Sequence, residues 1–237
     1  MSTGGTSSRV AVITGGFGAL GQVVAAVASE HGFEMAVLDH SAKPPPGLTE
    51  KLTRSALLLG GIDLTDEAAA TAAMTAVMSR FGRIDALFNI AGGFKWIKLE
   101  DSHATDLEFL FKLNVQTAAN AVRAALPALK ASPHGRIINV GAAAAEKAAA
   151  GMGAYAGSKA AVLRLTEALA EELKETNITV NAVLPTIIDT AQNRADMPKA
   201  DFSRWVAPKD LAEVMLFLAS EKAKAVTGAL VAVRGRV

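Results

Sequence analysis

Short apolar runs rich in β-branched residues alternate with segments of helical spacing along the whole of this chain, and few folds accommodate that alternation. "RVAVITG" (Arg9 to Gly15) ends in glycine and leads into "ALGQVVAAVASEHG", whose apolar positions recur at helical spacing and stop at Gly32. The same succession returns in "FEMAVLD", in "ALLLGGID" with a helix from about Asp66 to Phe81, and in "IDALFNIAG" with a helix through Val122. "GRIINVG" precedes a helix around Tyr155 to Glu175, "ITVNAVLP" precedes one near Pro208 to Ala219, and "ALVAVRG" closes the series. Strands that are apolar on both faces belong to a parallel sheet covered by helices on both sides. Right-handed crossovers then make the sheet doubly wound.

With 237 residues and no linker-like run inside, the chain reads as one α/β domain over residues 1–237, with residues 1–8 expected to be flexible. "KPPPG" (Lys43 to Gly47) reads as a surface loop, because periodic patterns resume beyond it. Lys and Arg number 24 against 23 Asp and Glu, so no long-range field favours nucleic acid or an anionic membrane, and a small molecule is the expected partner. There is no cysteine, which excludes disulfides, thiolate metal sites and a cysteine nucleophile. His31, His40, His103 and His134 are scattered without ligand spacing, so no metal is expected. The opening "MSTGGTSSR" lacks the charged start and apolar segment of a secretory signal, and no apolar run approaches the roughly 18 residues of a membrane span. A cytoplasmic protein is the expectation.

"TGGFGALG" (Thr14 to Gly21) lies between the first strand and its helix, and Gly16, Gly18 and Gly21 fit G-x-G-x-x-G. Glycines allow a tight turn and close backbone approach, while the helix N-terminus offers unpaired N–H groups and a positive dipole to a pyrophosphate. Gly15, Phe17 and Leu20 belong to the same turn. Asp39 ends the second strand, where a carboxylate can accept from two ribose hydroxyls and repel a 2′-phosphate, so NAD(H) is favoured over NADP(H). Asp63, followed by Leu64, either reaches the adenine amino group or caps the next helix.

Tyr155 and Lys159 stand one helical turn apart, which places their side chains on one face. A phenol of pKa about 10 is too weak an acid for ready ionisation, and a neighbouring ammonium is expected to lower it. Beside a hydride carrier the pair can donate or accept a proton.

The glycine turn, "NIAG" (Asn89 to Gly92), "LNV" (Leu113 to Val115), "YAGSK" and "VNAVLP" ahead of "IDT" resemble, in order and spacing, the short-chain dehydrogenase/reductase family over nearly the whole chain. The resemblance implies a Rossmann-type sheet of about seven parallel strands and a bound nicotinamide dinucleotide. It assigns Tyr155 as acid/base, Lys159 to the nicotinamide ribose and to the tuning of Tyr155, and Asn114 to a proton-relay water. Ala91, Gly92, Pro185, Ile188 and Thr190 are expected on the cofactor, with Asp189 and Thr190 either meeting the nicotinamide amide or capping a lid helix. Phe109 to Val122 and Ala154 to Glu172 resemble the family's dimerisation helices, which implies a homodimer or homotetramer.

Counting back from Tyr155, the family's catalytic serine falls on Ala142. Losing one preorganised donor to a developing oxyanion costs ~100-fold or more, so ordinary ketone reduction should suffer. The dihydropteridine reductase branch also lacks that serine, and the chain resembles it in "GGFGALG", "AGGF", "GAAAA" ahead of "GMGAYAGSKAAV", and "LPTIIDTAQNRADMPKADFSRW" (Leu184 to Trp205). Asn114 departs from that branch. The likeness implies a planar substrate such as quinonoid dihydropteridine, held by stacking on Phe94 and Trp96, although either ring can instead merely pack beneath its loop. Met152 and Asn193 join Ala142 as substrate-side candidates, and Arg194, Asp196, Lys199 and Asp201 read as a solvated, mobile lid surface. Two other functions fit the same residues: a general carbonyl or alcohol oxidoreductase working without the serine, and a catalytically silent dinucleotide-binding protein. A silent protein would not need Tyr155, Lys159 and Asn114 together.

Overall fold

The computed structural model describes residues 8–53 and 55–237, so the expectation for residues 1–8 lies, Ser8 apart, outside the described residues. Seven strands form one parallel sheet: β1 (Val10–Thr14), β2 (Glu34–Leu38), β3 (Leu57–Leu59), β4 (Ala86–Asn89), β5 (Arg136–Val140), β6 (Thr179–Pro185) and β7 (Leu230–Val233). Their order is β3-β2-β1-β4-β5-β6-β7. The chain winds outward from β1 in one direction and, from β4 onward, in the other, so a crevice opens between β1 and β4 at the carboxyl ends of the strands.

The period of two along each strand divides the core. Ala11 and Ile13 of β1 pack with α1 (Ala19–Glu30) and α7 (Pro208–Leu218) on one face, while Val10 and Val12 pack with α2 (Glu67–Phe81) and α4 (Thr117–Ala131) on the other. The second face also receives Ala170 of α5 (Gly153–Glu172). Each Val or Ile so buried is worth about 1.5–3 kcal/mol relative to exposure, which is why a chain of this pattern closes into three layers.

The helix expected through Val122 is longer and less regular than its spacing indicated. It begins as α3 (Ala104–Phe111), passes through one π-turn over Lys112–Gln116, and continues as α4 to Ala131. Pro127 lies inside α4 and removes a backbone donor, yet Ala125 and Leu129 on either side of it are fully buried. Their burial outweighs the missing bond and carries the helix past the proline.

At the amino ends of the strands, Asp85 accepts from the Val10 amide (2.8 Å), the Arg83 guanidinium (2.7 Å to each carboxylate oxygen) and Ser132 Oγ (2.6 Å). This buried carboxylate joins β1, the start of β4 and the end of α4 on the side away from the crevice. A short helix, α6 (Ala191–Asp196), lies beyond β6 in the segment expected to form a lid. No helix among the described residues is long and apolar enough to cross a membrane.

Candidate active site

The crevice between β1 and β4 is a cleft of about 440 Å³. Gly15, Phe17, Gly18, Leu20 and Gly21 line its floor, Asp39, Asp63 and Leu64 one wall, and Ala91 and Gly92 another. Gly15 takes φ 64°, and a Cβ there would stand 2.7 Å from the Ala91 amide nitrogen, so the turn abuts the loop after β4 only as glycine. Thr14 Oγ1 fastens the same junction by accepting from the Ile90 and Ala91 amides at 3.1 and 3.2 Å. No side chain caps α1 at Gly18 and no acidic residue occupies its first turn, so its dipole and first N–H groups remain for an anion. This matches a dinucleotide's pyrophosphate.

Asp39 Oδ2 accepts from the Phe17 amide (2.9 Å) and Oδ1 from the Ser41 amide (2.8 Å). Each oxygen retains acceptor capacity, and the two backbone bonds fix the carboxylate at the end of β2. Asp63 is not the cap of α2, because Asp66 fills that place by accepting from the Ala68 amide at 2.8 Å. Instead Asp63 Oδ1 closes an Asx turn with the Thr65 hydroxyl (2.7 Å) and amide (2.9 Å), which hold its carboxyl below the ordinary carboxylate range. Gly16 does not line the cleft: it packs under β2, where a Cβ would lie 2.1 Å from Val37 Cγ1. His40, Ser41, Ile62, Thr65 and Thr117 also line the cleft and were missed in the sequence, while Ala19, Ile90 and Leu113 line it from within the glycine turn, the NIAG run and the LNV run.

Tyr155 and Lys159 share the first turns of α5. Lys159 is 5% exposed and its Nζ donates to the Val140 carbonyl at 2.8 Å, where β5 ends. Asn114 sits in the π-turn; its Nδ2 donates to Ser158 Oγ (2.9 Å) and Gly93 O (3.1 Å), and its Oδ1 accepts from the Gly93 amide (2.8 Å). Its side chain is therefore committed to protein partners. A Cβ at Gly92 would stand 2.6 Å from Asn114 Oδ1 and 3.4 Å from Lys159 Nζ, so glycine lets these groups converge.

The electrostatics differ from the expected tuning. Burial raises the Tyr155 phenol to about 12 and lowers the Lys159 ammonium to about 8. Desolvation penalises the charged form of each and is the cause of both shifts. Tyr155 is thus a protonated phenol near neutrality.

Among the residues expected on the substrate side, Phe94 is 57% exposed and meets the Tyr155 ring edge-on, 4.9 Å between centroids at 85°. Trp96, 56% exposed, donates from Nε1 to Ala150 O (3.0 Å) and lies against Gly151, where a Cβ would come within 2.3 Å of the indole. The tryptophan holds the loop that leads through Met152 into α5. Ala142 ends the run after β5 and is 5% exposed, with no side-chain donor.

Pro185 closes β6 and is buried, whereas Ile188, Thr190 and Asn193 lie in the segment expected to form a lid, outside the main cleft. Of the two roles open to Thr190 the structure contains the cap, its Oγ1 accepting from the Asn193 amide (3.2 Å). Asn193 Nδ2 donates to Ile188 O (2.7 Å), so its amide braces the lid. The lid surface expected to be merely solvated is cross-linked: Arg194 forms a two-pronged bond to Asp189 (2.6 and 2.7 Å) and lies over the Phe202 ring at 4.8 Å.

A glycine-lined anion cradle at the switch point, with a tyrosine and a buried lysine one turn apart beside it, defines an α/β oxidoreductase that works with a nicotinamide dinucleotide. The model of the short chain dehydrogenase family matches residues 9–201, and the chain belongs to that family. It is 30% identical to a trans-4-hydroxycyclohexanecarboxylate dehydrogenase of Sinomonas cyclohexanicum, over 97% of this chain and 92% of the relative. It is equally 30% identical to 2-(S)-hydroxypropyl-CoM dehydrogenase 3 of Xanthobacter autotrophicus, covering 96% of each. The crystal structure of an NAD+-bound xylitol dehydrogenase superposes with a TM-score of 0.86 at 26% identity, over 98% of this chain and all of that one.

Proposed function

We propose that the chain transfers hydride between NAD(H) and a small planar conjugated substrate, with quinonoid dihydropteridine the leading named case. The observation that carries this reading is the apolar reaction centre: the half-exposed Phe94 ring stands edge-on to Tyr155, and the buried Ala142 offers no hydroxyl. A flat ring can be held by aromatic contact where no serine donor meets a carbonyl oxygen.

A nicotinamide dinucleotide would be held by the glycine turn, Asp39 and Lys159, and would supply the hydride when bound. Tyr155 donates its proton to the reduced substrate, for which its high pKa keeps it loaded at neutral pH. Lys159, whose Nζ donates to Val140 O, would stabilise the phenolate left behind and could donate to the ribose hydroxyls of a bound dinucleotide. Asp39 favours NAD(H), because a 2′-phosphate would meet a carboxylate pinned by two backbone amides. Leu107, Phe109 and Phe111, each about half exposed, support a homo-oligomer. The names of the relatives favour a second reading, oxidation of a secondary alcohol or reduction of its ketone.

NADH and NADPH oxidation by the purified protein, with a quinonoid dihydropterin beside ketones, aldehydes and quinones, separates the two. Pterin turnover with NADH, lost in Tyr155→Phe by ~100-fold or more, is the expected outcome. Ala142→Ser should then raise ketone turnover and leave the pterin rate nearly unchanged. Brisk ketone turnover by the unaltered chain, with no response to Ala142→Ser, sinks the planar-substrate account.

A further inference from the structure

The lid between β6 and α7 is closed on itself by the Ile188–Val206 bridge, in which the Asp189 amide donates to Val206 O (2.8 Å) and the Val206 amide to Ile187 O (2.9 Å), and by the Arg194–Asp189 pair. Its only α-helix is the six-residue α6, shorter than helices that persist alone, followed by a single 3₁₀ turn at Phe202–Arg204. Its two ends are also tied to the last residue of β7 and to the residues just past it. At the leading end, the Thr186 amide donates to Val233 O (3.3 Å) and Thr186 Oγ1 to Arg234 O (2.7 Å). At the trailing end, the Arg236 amide donates to Arg204 O (2.8 Å) and Arg204 Nε donates back to Arg236 O (2.9 Å). Gly235 makes this pairing possible: it takes φ 60°, and a Cβ there would stand 2.6 Å from Arg204 O. The Arg234 side chain reaches elsewhere, pairing at 2.5 Å with Glu146, which follows the 3₁₀ turn after Ala142. One short segment thus touches both ends of the lid and the loop that occupies the serine's usual place.

We propose that Arg234, Gly235 and Arg236 form a strap that fixes the lid over the substrate side and sets its distance from the Ala142 loop, Arg234 being a positioning residue. The inference rests on the hydride-transfer reading for its effect on substrate, but not for its effect on the lid. Arg234 and Glu146 are both about half exposed, so their pair contributes little to global stability. Its consequence is local, because it couples two segments that no strand or helix connects directly.

The test compares the unaltered chain with Arg234→Glu, the charge swap Arg234→Glu/Glu146→Arg, and Gly235→Val. Hydrogen exchange of amides 186–205 is read first, without substrate. Arg234→Glu is expected to speed lid exchange by about two- to fivefold with an unchanged melting temperature, and the swap to restore it. Gly235→Val should speed it by roughly tenfold, since a side chain at this φ also collides with Arg204. With a turned-over substrate, Arg234→Glu should raise KM by about the same two- to fivefold and leave kcat within about twofold. Unchanged lid exchange in both Arg234→Glu and Gly235→Val overturns the strap. Faster exchange with KM and kcat both unchanged overturns its positioning role. Absence of turnover by the unaltered chain on the whole panel counts against the function proposed above, and the exchange comparison still decides the strap.

Discussion

Tyr155 and Lys159 are four residues apart in the sequence, and that spacing alone placed them on one helix face. Their ionisation could not be read the same way, because it depends on what surrounds them. Burial holds the phenol near about 12 and brings the lysine to about 8. A group whose pKa is lowered keeps its charge only below that value, so Lys159 loses its ammonium as pH rises through about 8. For reduction, kcat/KM reports the free enzyme and should be level below about 8 and fall above it. A pH series with Lys159→Ala checks this: the variant should be slower throughout and lack the inflection. Trp96 shows the opposite limit of sequence reasoning. Its aromatic ring invited a stacking role, but only the fold revealed Gly151 beneath it, with φ 74° and no Cβ to keep the indole away.

The glycine turn and α1 form an element in which similar residues perform different tasks. At Gly21 a Cβ would stand 2.2 Å from Gly15 O and 2.6 Å from Gly16 Cα, whereas at Gly18 it would meet only Gly15 O, at 3.3 Å. Gly21 therefore lets the helix pack on the turn, and Gly18 keeps the cleft open. Gly21→Ala is expected to lower unfolding free energy by about 1–3 kcal/mol with no dinucleotide present. Gly18→Ala should stay within about 0.5 kcal/mol of the parent and weaken NADH binding instead. Urea unfolding and NADH fluorescence titration distinguish these outcomes. The motif was legible because three glycines sit between a strand and a helix. Which glycine serves packing was not, since Val37 approaches the turn from β2 and Ala91 from the loop after β4. Similarly, the sequence offered Asp63 as a cap of α2, and local geometry awarded that place to Asp66, three residues nearer the helix.

Taken as a whole, the molecule has a chemical face at the carboxyl ends of its strands and a structural one at their amino ends. Asp85 anchors the second. Burial alone would raise its carboxyl, but bonds from Arg83, Ser132 and the Val10 amide outweigh that and hold it below the ordinary range. A depressed carboxyl contributes stability that is complete above its unfolded pKa of about 3.9 and is lost as pH falls through the folded value. Asp85→Asn should lower unfolding free energy by about 1–3 kcal/mol at neutral pH, since the Arg83 guanidinium left behind is 31% exposed. Its stability should also fall less steeply than the parent's below about pH 4, as denaturant melts across pH would show. The alternation of apolar strands and periodic helices determined the parallel, doubly wound sheet, because burying both strand faces leaves few other arrangements. The glycine turn, Asp39 and the Tyr155–Lys159 spacing likewise announced a dinucleotide oxidoreductase from local sequence. Only the tertiary structure decided the π-turn that carries Asn114, the commitment of Asn193 and Thr190 to the lid, and the meeting of Arg234 with Glu146. Those contacts join segments whose approach depends on the packed sheet between them, and a local pattern contains no record of that distance.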